Sequence, residues 1–412
     1  MSVRSRSWKR RRVSAVPGGT TLLIALILSV PVRAQEPEPT TRTALLEREQ
    51  AQKAAQVKPY VPGTAERYLN RAETMLVTGM HWHPFFESAY SGGGFTLGAG
   101  YRRYVGSYNT VDVRGSLTPS GYKRIEGEFL APRLFNRQGV LSVVGGWREA
   151  TQVGFYGLGS STPVEDKTVY GFTQPYGRAD LTFRPGRRAF LIRGGLEASR
   201  WEQGPGSGNN PSVEEVYTPD SLTGLGAAVT YIHSQATAGF DSRTSPGYAR
   251  RGGFYGVTFH DFSDTDGGYG FNQVDYEAIQ HVPVMRETWV LSFRGAVSTT
   301  TTKSGENIPF FMLPSVGGGS SLRAYSSWRF RDRHRLELQG EWRIMVNRYV
   351  DTAVFYDTGK VVADTSDLDL KALKHDAGFG FRFHGPFSTP LRIDIATGSD
   401  GFHIVWAASA VF

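Results

Sequence analysis

The sequence lacks cysteine altogether and, beyond position 40, lacks any apolar run as long as a membrane-spanning helix. A helix needs about 18 consecutive apolar residues to cross a bilayer, so the body of this chain of 412 residues offers no transmembrane helix. Without cysteine the chain forms no disulfide, which is compatible with export through an oxidising compartment. Glycine is abundant, with 49 residues, and aromatic residues make up 13%. This composition indicates many strands, each with one polar face.

Basic residues are in excess only at the N-terminus. Residues 4–12 form a basic region, residues 22–30 a short apolar run, and residues 32–34 a small-x-small site, as in a cleavable secretory signal peptide. An uncleaved membrane anchor is the alternative, although the apolar run is short for one. Residues 1–34 hold seven Lys and Arg and no Asp or Glu, so their removal leaves 39 basic and 38 acidic residues. The net charge of +8 therefore gives no reason to expect a nucleic-acid partner.

After about residue 80, apolar and charged residues alternate. In residues 335–346 apolar residues take every second position, with Arg, Glu and Gln between them, and residues 178–184 and 391–395 repeat the pattern. Such alternation gives a strand one apolar and one charged face. A soluble sandwich and a membrane barrel both fit this pattern. Charges of both signs along the polar face favour the wall of a barrel lumen.

The final strand, predicted over residues 402–412, favours the same interpretation. Its alternate residues share one apolar face: Phe402, Ile404, Trp406, Ala408, Ala410 and Phe412. A terminal Phe412 preceded by Trp406 resembles the sorting signal that the outer-membrane assembly machinery reads. That machinery is therefore an expected partner during insertion, and outer-membrane lipids and lipopolysaccharide are the expected surroundings.

Sixteen strands are predicted, which gives an all-β fold: a transmembrane antiparallel β-barrel. Their predicted ranges are 80–89, 92–104, 108–118, 121–132, 138–156, 167–184, 188–200, 223–236, 251–262, 269–282, 287–300, 334–346, 351–360, 376–384, 391–397 and 402–412. An even count, with short joins on one side and long joins on the other, is typical of bacterial barrels. Two features fit poorly: the join at 234–250 is long for a periplasmic turn, and Pro175 lies inside a strand.

The chain is thereby divided into a signal peptide (1–34), a partly helical periplasmic tail (35–79) and the barrel (80–412). Residues 44–57 and 66–76 have helix-like sequences, but the segment has too few apolar residues for its own core. A small plug or docking element is the alternative to a simple tail.

One loop motif narrows the family. Residues 309–325 contain Gly317, Gly318 and Gly319, followed by Leu322, Arg323, Ala324 and Tyr325. This segment resembles the sixth-outer-loop motif of the BamA/TamA-type superfamily, also called the bacterial surface antigen family, and the strand count places it between strands eleven and twelve. Residues 93–101, 155–159, 341–343, 355–361, 378–382 and 392–394 are similar to further family segments in the same order. The similarity extends from about residue 92 to residue 412.

The resemblance implies that this loop folds back into the barrel and that Arg323 pairs with Asp357 and Glu341. A guanidinium inside a lumen needs carboxylates, and a bidentate pair fixes its direction. The three glycines allow the backbone to turn inward. Ala324 stands where the family has Gly, which predicts a different loop tip if that position needs positive φ. The alternative is that Arg323 is a solvated loop residue.

The functional expectations follow from the family and from what is missing. Residues 35–79 are too short for a POTRA domain, so we expect a member of the branch without them, and insertase activity loses its substrate-receiving platform. The hypotheses are outer-membrane biogenesis through weak pairing of the first and last strands, a passive or gated pore, and a structural surface antigen. Neither a Gly-x-Ser-x-Gly elbow nor a His-Glu-x-x-His motif occurs, so no enzyme, cofactor or metal is expected. An acidic outer loop with Asp261, Asp264 and Asp266 is the weak alternative for a divalent cation.

Overall fold

A computed structural model describes residues 41–56, 63, 64, 66–68, 70, 81–187 and 189–412. The predicted signal peptide lies outside these residues. The chain divides into two units, residues 1–62 and 63–412. In the first, helix α1 spans Arg42–Gln56, a stretch rich in the helix formers Ala, Leu, Glu and Gln. This agrees with the helix predicted at 44–57.

None of the helices in the described ranges is both long and apolar enough to cross a bilayer.

The second unit consists almost entirely of strands. They are β1 (Trp82–Pro84), β2 (Leu97–Val105), β3 (Asn109–Leu117), β4 (Lys123–Arg133), β5 (Gly139–Phe155), β6 (Thr168–Phe183), β7 (Phe190–Pro205), β8 (Ala228–Asp241), β9 (Gly252–Asp264), β10 (Phe271–Val284), β11 (Trp289–Thr302), β12 (Ser315–Val316), β13 (Phe330–Arg331), β14 (His334–Asn347), β15 (Val350–Val362), β16 (Lys374–Phe383), β17 (Leu391–Gly398) and β18 (Gly401–Ala407). Short helical turns occupy Leu134–Arg137, Pro185–Arg187, Val213–Val216, Pro246–Tyr248, Phe310–Met312 and Thr365–Asp367.

All strands except β12 and β13 form one sheet of 16 strands, in which each strand pairs with its neighbour in the chain. Every pairing is antiparallel, and β12 and β13 form a separate two-stranded ladder. Each predicted strand overlaps an observed one. The prediction of an all-β, sixteen-stranded antiparallel barrel is therefore confirmed, with the sixth outer loop turned inward as described below.

The joins sort into two ends. Those after β2, β4, β6, β8, β10, β14 and β16 lie at the end that also carries residue 81 and the C-terminus; we call it the short-turn end. The other joins, including residues 206–227, 303–333 and 363–373, form the long-loop end. In bacterial barrels the short turns are periplasmic and the long loops lie outside.

The faces of the strands are inverted relative to a soluble protein. In β14 the polar residues Glu337, Gln339 and Glu341 are buried, whereas Trp342 and Val346 of the apolar face are exposed. Similarly, Asp357 and Asp394 are 0% exposed. A soluble sandwich would bury the apolar face instead, so burial decides between the two folds that alternation alone leaves open.

The first and last strands, β1 and β18, are the shortest strands of the 16-stranded sheet. β1 pairs with β2 over three residues, Trp82–Pro84. β18 pairs with β17 from Gly401 to Ala407. Within the described part of the chain β1 and β18 are not paired with each other. We call this junction the seam.

The prediction that residues 402–412 form one strand with a shared apolar face is wrong for the last five residues. Trp406 is 67% exposed on that face. Beyond Ala407, however, the chain leaves the sheet, and the ring of Phe412 stacks on the buried His281 with centroids 6.0 Å apart. The reason is the absence of a partner: β17 begins at Leu391, and residues 384–390 contain two prolines, which donate no backbone hydrogen bond.

Neither Pro175 nor the long join after β8 changes the number of strands. Pro175 lies in β6, whose ladder with β7 is interrupted at Gln174 and Pro175 and resumes in the same register at Tyr176. A proline is tolerated where the ladder is interrupted. The join after β8 comprises residues 242–251; it folds over the lumen instead of turning tightly, so neither feature changes the strand count.

Candidate functional site in the barrel lumen

The sixth outer loop, residues 303–333, is held at the long-loop end by an aromatic core. Phe310 and Phe311 are 1% and 3% exposed. The ring of Phe310 packs edge-on against Phe155 and Tyr170, with centroids 5.1 and 4.9 Å apart. The ring of Phe311 stacks on Trp201 at 5.9 Å. Aromatic pairs of this kind stabilise by about 0.5–1.5 kcal/mol beyond their buried area, so the loop is anchored before it turns inward.

The turn inward occurs at the predicted glycines. Gly317 and Gly318 have φ values of 116° and 101°, a region that other residues rarely adopt. The amide of Gly318 donates to the carbonyls of Leu322 and Tyr325, both at 3.1 Å, and so closes the turn. At Gly319 a Cβ would lie 2.6 Å from Val405 of β18. The third glycine is therefore needed for close approach to the last strand.

At the tip of the turn, the structure places Arg323 against both predicted carboxylates. Its Nε and Nη2 donate to the two oxygens of Asp357 at 2.6 and 2.9 Å, a bidentate pair. Its Nη1 donates to Glu341 at 3.0 Å. The guanidinium also lies over the ring of Phe355, 3.4 Å from its centroid. We call Arg323, Asp357 and Glu341 the loop clamp.

The clamp is almost fully buried, which determines its energetics. Arg323 and Asp357 are 0% exposed. Burial by itself lowers the pKa of Arg323, but Asp357, Glu341 and Asp394 outweigh it and raise that pKa above its ordinary value. The arginine thus stays charged. Removing one partner of a buried pair leaves an uncompensated charge and costs about 3–5 kcal/mol. The arrangement therefore favours a single position of the loop.

Two further arginines extend the clamp, and sequence reasoning did not single them out. Arg382 donates to Glu341 at 2.6 Å and to Asp394 at 2.5 Å. Arg392 lies 3.4 Å from Asp394 and donates to the carbonyl of Gly319 at 2.7 Å. Their alternation on β16 and β17 identifies them as lumen residues, but their partners on β14 and in the loop are set only by the tertiary structure.

The remaining motif residues pack beside the clamp. Leu322 and Tyr325 are 1% and 2% exposed, and the Tyr325 hydroxyl donates to the carbonyl of His375 at 3.1 Å. Ala324 is not among the residues with positive φ, and its amide donates to Asp376 at 2.9 Å. The replacement of Gly by Ala therefore needs no special backbone conformation. A Cβ at Gly398 would come within 3.1 Å of Ala324, so the opposite glycine accommodates the methyl group.

The acidic outer-loop residues do not converge. Asp261 pairs with Lys303 at 2.8 Å, and Asp264 accepts from the amides of Asp266 and Tyr269 at 3.1 and 3.2 Å. In the part of the chain that the structure describes, no group of three His, Asp or Glu residues is arranged to hold a metal ion.

At the short-turn end, residues 242–251 reach towards β14–β17; we call this segment the strap. The hydroxyl of Ser245 donates to the carbonyl of Phe387 at 2.9 Å, and that of Thr389 donates to the carbonyl of Gly247 at 3.0 Å. Arg343 donates to the carbonyl of Ala249. These contacts join segments about 100 or more residues apart, and the strap lies across part of the lumen.

Tyr248 is the buried centre of the strap. It is 6% exposed, donates to Asp351 at 2.7 Å and stacks on His384 with ring centroids 3.8 Å apart. Burial, together with the carboxylate of Asp351, raises the pKa of Tyr248 above its ordinary value. The hydroxyl therefore remains a donor at physiological pH, and the strap depends on hydrogen bonds more than on apolar packing.

Comparison with known proteins places this geometry in context. Residues 221–401 match the Omp85 superfamily domain, a range that contains the loop, the clamp and the strap. A search of curated proteins found no match. Among solved structures, the chain is similar to BamA from Haemophilus ducreyi lacking POTRA domains 1-3, with 16% identity, a TM-score of 0.58 and coverage of 77% of this chain and 68% of that one.

A second similar structure is CdiB from Escherichia coli, with 14% identity and a TM-score of 0.52. The alignment covers 77% of this chain and 59% of CdiB, so this chain spans less than two thirds of that relative. Similarity at these identities describes the fold. Together with the superfamily match, it agrees with the sixteen-stranded antiparallel sheet.

Proposed function

We propose that this chain is an outer-membrane barrel of Omp85 type and that it takes part in outer-membrane biogenesis by assisting the insertion of protein or lipid at its seam. A barrel whose first and last strands pair weakly disturbs the bilayer beside them and exposes strand edges to an incoming chain. The role is one of physical assistance, without an enzymatic step.

The open seam carries this proposal, because β1 and β18 are not paired with each other within the described residues. β1 is itself held only by a three-residue ladder with β2, whereas β10 and β11 pair over fourteen residues, from Phe271 to Val284. The last five residues turn into the lumen, where Phe412 packs on His281. That position removes the end of the final strand from any ladder with β1. Few hydrogen bonds therefore oppose the separation of the two strands.

The obstruction of the lumen by the loop clamp and the strap favours a role in biogenesis over a passive pore. The loop clamp lies buried between β14, β15 and the sixth outer loop, and the strap lies at the opposite end. A wide solute channel would have to displace both. We expect the unperturbed barrel to conduct little.

A cysteine-scanning experiment tests the seam. Because the chain has no cysteine, any cross-link reports the introduced pair alone. Trp82→Cys, which lies on the exposed face of β1, is combined in turn with a cysteine at the exposed Phe402, Ile404 or Trp406 of β18. The control pair is Tyr276→Cys with Val297→Cys, which are direct partners in β10 and β11. We expect cross-links at several seam positions but only register-matched ones in the control.

The cross-linked protein then serves as its own control in liposomes. We expect the reduced protein to accelerate folding of a urea-unfolded barrel into the liposomes and the seam cross-link to abolish the acceleration. The control cross-link should leave it unchanged. Equal acceleration with the seam locked and free would refute the proposed role.

A further inference from the structure

The charges at the two ends of the barrel have opposite signs. Within the described residues, the joins of the short-turn end contain one acidic residue, Glu287, and no lysine. Arg184 and Arg243 in these joins pair with Asp241, and Arg250 donates to Tyr248. The exposed arginines of these joins are Arg137, Arg251, Arg286 and Arg348, which we call the arginine arc. At the long-loop end, the join after β7 contains Glu214, Glu215 and Asp220 with no basic residue. We propose that the arginine arc binds the phosphate groups of anionic phospholipids in the periplasmic leaflet.

The use of arginine alone fits phosphate. A guanidinium presents a planar fork that binds two phosphate oxygens at once, whereas an ammonium acts as a point charge. Arg251 faces its carboxylate, Glu287, at 3.8 Å, with both side chains more than 40% exposed, so the pair leaves the guanidinium open to other anions.

Arg137 and Arg286 are exposed and form no ion pair with a described carboxylate. Each lies in a turn with three consecutive residues of positive φ, residues 135–137 and 285–287. The φ values of Arg137 and Arg286 are 68° and 59°. The left-handed region costs about 1–2 kcal/mol for such side chains and favours glycine. Each turn thus holds an exposed arginine in a backbone conformation that glycine would adopt at lower cost.

The level of these arginines coincides with a membrane interface. Phe135 and Met285 are 59% and 62% exposed beside them. Phe190 is 60% exposed at the same end and packs edge-on against Phe240 at 5.2 Å. Aromatic girdles of this kind mark the headgroup level of outer-membrane barrels. The arc is thus placed where lipid phosphates lie.

The arginine arc does not extend to the joins next to the seam. The short-turn joins nearest to β1 and β18, residues 106–108 and 384–390, contain no arginine. The arc would therefore hold lipids around β4 to β15. This inference depends on the membrane orientation used in the proposed function, but not on insertion activity.

Lipid binding is tested with the full chain in micelles doped with phosphatidylglycerol or with phosphatidylcholine. Retained lipid is counted by native mass spectrometry. The arc variant is Arg137→Gln with Arg286→Gln. The matched control, Lys123→Gln with Lys371→Gln, removes the same charge from exposed residues at the long-loop end. We expect the wild type and the control to prefer phosphatidylglycerol, and the arc variant to lose about tenfold in its affinity for that lipid.

Three outcomes would overturn the proposal. One is a wild type without preference for phosphatidylglycerol, and another is an equal loss in the control variant. The third is complete displacement of the lipid by inorganic phosphate or by a polyglutamate peptide, which would assign the arc to free phosphate or to an acidic protein. A protein that is inactive in the liposome folding assay but still prefers phosphatidylglycerol would refute the seam and leave the arc standing.

Discussion

The two ends of the lumen are closed by different interactions. At the long-loop end, the sixth loop combines an aromatic core around Phe310 with a buried ion-pair network around Arg323. At the short-turn end, the strap is held mainly by hydrogen bonds, with Tyr248 as its buried centre. Truncating a buried aromatic residue costs about 3–5 kcal/mol, whereas one neutral hydrogen bond contributes about 1 kcal/mol.

This difference indicates which end opens first. The loop cannot leave the lumen without exposing apolar rings and separating buried charges. The strap can be released at a cost of a few hydrogen bonds, many of which water would replace. We therefore expect the long-loop end to be permanently closed and the short-turn end to fluctuate.

The largest expected effect is that of Arg323→Ala. It leaves Asp357 and Glu341 buried without their partner, which costs about 3–5 kcal/mol in the free energy of unfolding. Arg200→Ala is the control, because Arg200 pairs with Glu202 at 2.7 Å with both side chains about half exposed. The control should lose less than about 1 kcal/mol. Urea unfolding in micelles measures both, and equal losses would show that burial of the clamp has no energetic consequence.

Phe310→Ala tests the apolar part of the same closure. We expect a loss of about 3 kcal/mol, because the ring is 1% exposed and contacts Phe155 and Tyr170. The exposed Phe402→Ala is the matched control and should change stability in micelles far less. Proteolysis of the loop in intact micelles should accelerate in the first variant only. A resistant loop in Phe310→Ala would mean that the clamp alone holds it.

The smallest effect is expected at the strap. Tyr248→Phe removes a hydroxyl that bonds Asp351 and Arg250 and should cost about 1–2 kcal/mol. The barrel should remain folded, but hydrogen exchange of the strap amides should increase. Tyr276→Phe, which removes a hydroxyl from a residue 49% exposed, is the control. Unchanged exchange in Tyr248→Phe would place the strength of the strap elsewhere.

The sequence predicts features that depend on neighbouring residues, and it misses features that depend on contacts between residues far apart in the chain. Strand positions depend on alternation, which is a local property. The pairing of Arg323 with Asp357 and Glu341 follows from the resemblance of the loop motif to a family with a known partner pattern. Nothing local to Phe412 shows that β17 begins too late to pair with it. Likewise the length of the strap was visible, but its contacts with His384 and Phe387 connect positions far apart in the chain.

Conductance across a planar bilayer tests the clamp most directly, with wild-type protein compared to Arg323→Ala. If Arg323 holds the loop inside the lumen, the wild type should show low, flickering conductance, and the variant should show a clear increase as the loop becomes mobile. Stable, large conductance in the wild type, or identical traces for the two proteins, would contradict a lumen closed by the loop clamp.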